Sequence, residues 1–291
     1  MTQTATNKSR VAVSNPLIKK MRENSSAFEY REEDRATYGG IGAKTVYFLL
    51  ICVVGVISYF VLNSFFKGQG MQLIEYSDPE KYPIFDIRVY LPEIFIGVGA
   101  LAVSIFLPLL AWLIRPAIPV FGTLYCLMEG YVIGFITGLL RDEFDWASVL
   151  AFVLTVALVL VAYFLYSKGI VKVNHRFKTF LAVAFGTIIL GGMLMAILYF
   201  IPFTNSIIAP ILTFMDSPIP SIILSVVYII IATLFLLVDF DNIRETVEGG
   251  CSRKLEWIAA WGLAYTIIYI YFKILDLIIK ILSLMGKGSK K

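Results

Sequence analysis

Three groups of side chains in this sequence could do chemistry, and each stands in a stretch otherwise poor in charge. Glu129 is the lone charge in the apolar run 116–140. Asp239-Phe240-Asp241-Asn242-Ile243-Arg244 closes the apolar run 217–238. Lys273, Asp276 and Lys280 are spaced i, i+3 and i+7 inside 255–285, so they share one helical face. A charge at mid-membrane is costly unless it is paired, protonated or wetted, so such residues mark ion paths, proton relays or buried ion pairs. Carboxylate oxygens suit a hard cation such as calcium. A half-buried carboxylate at a helix end, as at Asp239 or Asp241, serves as a proton sensor or a cation ligand.

The elements that must hold these groups follow from composition. The chain has 291 residues, of which 58% are apolar and only 16% charged, with a mean hydropathy of +0.80. Soluble domains carry about 25% charged residues, so a water-soluble enzyme of ordinary composition is excluded, as is a disordered chain. A net charge of +4 is no footprint for nucleic acid. Cys52, Cys126 and Cys251 have no CxxC spacing and give no disulfide framework. With a single histidine, His175, no histidine-based metal cluster or catalytic triad is expected, and no resident cofactor. What remains is an all-α polytopic membrane protein.

A helix needs about 20 apolar residues to cross a bilayer. Runs of that kind stand at 45–66, 94–114, 116–140, 146–167 and 217–238. The uncharged run 179–215 is too long for one span, and Pro202, Asn205 and Pro210 break it. We read a span to residue 201 and then an irregular or re-entrant segment. The seventh span is 255–285, with Trp257 and Trp261 placed like an interfacial belt. Residues 1–44 read as a polar cytoplasmic tail without a signal peptide, 45–285 as the transmembrane domain, and 286–291 as a basic tail. With the N-terminus inside, sixteen Lys and Arg fall on the cytoplasmic side against seven outside, which favours that orientation in the cell membrane.

Two glycine motifs speak to packing. Gly39-Gly40-Ile41-Gly42-Ala43-Lys44-Thr45 fails as a phosphate loop, because Ala43 separates glycine from lysine, and reads as a flexible hinge. Gly130, Gly134 and Gly138 recur every four residues and make a smooth stripe that a neighbouring backbone can approach. A lysine in the last span also suggests the retinal-binding lysine of microbial rhodopsins. Those proteins keep an aspartate one turn earlier, where this chain has Tyr269.

Gly249-Gly250 is a natural turn. Folding a hairpin there sets Asp239 level with Trp261 and Arg244 opposite Glu256, and leaves Lys273 about 18 Å deeper. An Arg244–Glu256 ion pair is therefore expected. Lys273 needs a partner, and depth counting favours Glu129, with Asp276 and Asp239 as alternatives.

Several stretches together resemble the Bax inhibitor-1/YccA family, in particular a bacterial branch. They are Ser14-Asn15-Pro16, Ala36-Thr37-Tyr38-Gly39-Gly40, Leu127-Met128-Glu129-Gly130, Leu237-Val238-Asp239-Phe240-Asp241 and Glu256-Trp257-Ile258-Ala259-Ala260-Trp261-Gly262-Leu263. The resemblance implies six helices around a central C-terminal seventh, and a pH-dependent passage of calcium. It also implies that an aspartate at the end of span six pairs with one in the last span. Asp239 takes the first position and Lys273 falls on the second, a departure from the pattern. The expected function is thus a calcium leak or exchanger gated by intramembrane carboxylates, with the lipid bilayer and calcium ions as partners. The alternative is a non-transporting membrane regulator that binds a membrane protease or stress-response partner. An enzyme is not expected.

Overall fold

The computed structural model describes residues 35–78 and 82–288. The tail before residue 35, with Ser14-Asn15-Pro16 and its share of the basic residues, lies outside the described residues, as do residues 289–291 of the basic C-terminal stretch. Eight helices follow in order: α1 (Tyr38–Gly68), α2 (Leu91–Leu113), α3 (Ile118–Gly138), α4 (Trp146–Ser167), α5 (His175–Phe200), α6 (Pro202–Met215), α7 (Pro218–Glu248) and α8 (Leu255–Gly288). Six of them, α1 to α5 and α7, are long and apolar enough to cross a bilayer. Together they make an all-α polytopic membrane protein.

Local chemistry sets the ends of these helices. Thr37 caps α1 by accepting the Gly40 amide at 2.9 Å, and Asn174 caps α5 by accepting that of Phe177 at 2.8 Å. Glu93 folds back onto the Tyr90 amide at 2.9 Å and, fully buried, accepts from Asn63 of α1. At the turn between α7 and α8, Gly250 has φ of +67°, a conformation that favours glycine.

The fold departs from the sequence reading in three places. Residues 202–215 form a regular helix, α6, rather than an irregular segment. Pro202 opens it where a proline needs no amide. Thr204 and Asn205 then donate to the last carbonyls of α5, those of Leu198 and Tyr199, at 2.5 and 3.0 Å. The loop between α1 and α2 holds an antiparallel hairpin, β1 (Leu73–Tyr76) and β2 (Ile87–Tyr90). Finally, α1 starts before the expected span, so residues 39–42 are helical rather than a hinge.

Helix α8 runs through the middle. The helices α1, α3, α4 and α7 pack directly on it, α2 leans on α3, and α5 leans on α7 and α6. Its Ala260, Ala264 and Ile270 have no exposure at all. Large apolar residues on the outer helices face outward instead, with Phe200 82% and Phe203 86% exposed. Such surface is stable only against lipid.

Candidate functional site

The pairing of α7 with α8 builds a polar seam through an apolar bundle. On α8, Thr266, Tyr269, Lys273, Asp276 and Lys280 follow one another at alternating steps of three and four, so they lie on one face. Each level meets a polar group. Thr266 donates to Asp239 of α7 at 2.5 Å. The Lys273 ammonium lies over the rings of Tyr228, 4.8 Å from its centroid, and Tyr269, at 5.4 Å. Asp276 accepts from the buried Ser225 of α7 at 2.7 Å and from Lys280 at 2.7 Å, while Lys280 also donates to Ser225 at 2.8 Å. From Thr266 to Lys280 the seam spans about 21 Å. Depth in the hairpin follows the fold at Gly249-Gly250: Asp239 lies beside Gly262 and Thr266.

Among the described residues Lys273 has no carboxylate within salt-bridge reach, so the expected Glu129 pair is corrected. The register between α3 and α8 explains why. Tyr125 stacks on Tyr265 and meets Trp261 edge-on. The two helices run in the same direction, so Glu129, four residues after Tyr125, falls short of Lys273 by about 6 to 12 Å. Glu129 stays half-buried, within electrostatic reach of Cys52 on α1 and Tyr265 on α8. The two alternatives fail as well. Asp276 is taken by Lys280 and Ser225, and Asp239 lies about two turns away.

The expected Arg244–Glu256 pair is not formed either. Arg244 turns back to Asp241 at 2.6 Å and covers the ring of Tyr166. Asp241, 1% exposed, also binds Lys178 of α5 at 2.7 Å and accepts from Tyr166 of α4 at 3.0 Å. Lys178 reaches Glu245 as well, at 3.0 Å. Asp241 thus belongs to an ionic cluster that ties α4, α5 and α7 together, away from the seam. Glu256, fully buried, faces α1: it binds Lys44, accepts the Thr37 amide at 2.8 Å, and lies against Gly40. The hairpin count fixes depth but not direction around the helix. Arg244 and Glu256 are level and point to different neighbours.

The glycine stripe lies against α1. Gly130 faces the Cys52 carbonyl and is 2.9 Å from Gly55 Cα, measured from where a Cβ would stand, and Gly134 and Gly138 lie against Tyr59. The sequence reading gave no site role to Lys178, Glu245, Tyr166, Lys44 or Thr37; Lys44 and Thr37 entered it only as members of motifs. Asp241 and Glu245 at i and i+4 on an apolar helix were the one available signal, since such a pair requires a cation.

Comparison with known proteins completes the picture. No curated protein and no solved structure matches the chain. The Bax inhibitor 1 like family matches residues 15–283, which is nearly the whole length and includes every residue of the seam. With its apolar crossing helices and buried last helix, the chain belongs to the Bax inhibitor 1 like family.

Proposed function

We propose that this protein is a seven-span protein of the cell membrane, with its N-terminus cytoplasmic, that lets calcium pass down its gradient under control of pH. The seventh span is α8. The observation that carries this reading is the α7–α8 seam: carboxylates at two levels, Asp239 and Asp276, joined by hydroxyl and tyrosine groups along the interface of the two helices. Oxygen ligands of this kind suit calcium. Asp239 is the proton-sensitive group, because its only side-chain hydrogen bond among the described residues is a single hydroxyl, that of Thr266. Protonation removes the charge that attracts the ion. Lys273, where the family resemblance places a second aspartate, puts a fixed positive charge between the two carboxylate levels and holds the path closed.

The test is calcium flux into proteoliposomes across a range of pH. Wild type should conduct with a pH dependence that Asp239→Asn flattens. An unchanged profile in that variant refutes the sensor. No flux at any pH refutes conduction, and leaves a regulator that acts by binding a membrane protease or stress-response partner.

A further inference from the structure

Four cationic side chains from three separate stretches of chain converge on one cleft, at the end of the bundle where α1 begins. Lys44 comes from α1, Arg115 from the link between α2 and α3, and Arg253 and Lys254 from the turn before α8. The cleft has a volume of about 660 Å³, and Trp257 and Ile258 give it an apolar wall. Among the described residues, the one carboxylate these cations touch is Glu256, which binds Lys44 and Thr37 and lies 3.9 Å from Arg253. Within the described residues, four positive charges therefore face one negative charge. The side chains of Arg115 and Lys254 have no ion pair or hydrogen bond among the described residues.

Position narrows the ligand. Arg115 sits between α2 and α3, two helices each long and apolar enough to cross the hydrocarbon, which sets the cleft at the depth of the lipid headgroups. Basic residues near helix ends are common as an orientation signal, but that signal needs no concavity and no convergence of three segments. Guanidinium and ammonium groups together suit a phosphate, and a tryptophan beside them suits the boundary between headgroup and acyl chain. The geometry points to a binding site for an anionic phospholipid, its phosphate held by Arg115 and Lys254 and its glycerol end against Trp257 and Ile258. The site stands apart from the seam and does not depend on conduction.

Native mass spectrometry of the detergent-solubilised full chain tests this, with phosphatidylglycerol and phosphatidylcholine of identical acyl chains. Phosphatidylglycerol should bind more tightly by about 10- to 100-fold, as expected for two unpaired basic groups. Arg115→Gln combined with Lys254→Gln should abolish that preference. Arg88→Gln, on the hairpin at the other end of the bundle, should keep it. If the double variant does not fold, Lys254→Gln alone, at an exposed turn position, should still weaken the preference several-fold. Millimolar inorganic phosphate should leave the lipid bound. Equal binding of the two lipids, an unaltered preference in the variants, or displacement by free phosphate would each overturn the site.

Discussion

Replacing Lys273 by methionine should open the proposed path at neutral pH. The ammonium lies seven residues beyond Thr266, the group that holds Asp239, which is about 10.5 Å along the helix. A calcium ion at Asp239 feels that charge across this distance. Coulomb's law gives a repulsion of about 3 kcal/mol at an effective dielectric of about 20, and about 0.8 kcal/mol at about 80. Removing it should raise occupancy by about 4-fold at the least and about 200-fold at the most. Methionine keeps the length of the side chain and its contact with Tyr228 and Tyr269 while removing the charge, so the bundle should stay intact. Flux is read in proteoliposomes with an entrapped calcium dye, at equal reconstitution and equal melting temperature. Lys273→Arg, which keeps the charge, should behave like wild type. A folded Lys273→Met protein with flux at or below wild type would refute the reasoning, because it would mean that the ammonium is not on the path.

Other outcomes follow from the packing. Gly130→Ala drives a methyl group into the Cys52 carbonyl and should cost about 1–3 kcal/mol. Gly42→Ala, with nothing within 4 Å, should be neutral or stabilising in the same melting assay. Glu256→Gln leaves the Lys44 ammonium without its buried partner and should destabilise by about 3–5 kcal/mol, with Lys44→Met in the same chain restoring part of it. Additive losses in that double variant would count against a coupled pair. Alkaline phosphatase fused after Lys291 should be active in a bacterial host and green fluorescent protein there dark; the opposite pair of results would reverse the proposed topology.

Hydropathy made the six long apolar helices legible, because a bilayer sets a minimum length for an element that crosses it. The level of Asp239 was legible too, since the glycine pair at residues 249 and 250 sets where the hairpin folds. Direction around a helix was not. Arg244 and Glu256 sit level and face different neighbours, and Lys273 turns to Tyr228 rather than toward α3. The contact between Lys44 and Glu256 joins residues 212 positions apart, and no local pattern encodes it. The helix α6 was hidden because Pro202 reads as a break, while at the first turn a proline starts a helix as readily as it stops one.

The central place of α8 constrains the order of assembly. It is the last of the eight described helices to be synthesised, and α1, α3, α4 and α7 all pack on it. Until residues 255–288 have been made, Thr37 and Lys44 at the start of α1 lack the carboxylate that holds them. The α1–α3 pair, with α2, can close early on its glycine stripe, and α4, α5 and α7 can meet through Asp241 and Lys178, but both groups must wait for α8 as the surface they share. Closure then joins the first described helix to the last in a single late step. A ribosome stalled anywhere before the turn at Gly250 therefore leaves an incomplete ring rather than a smaller version of the fold.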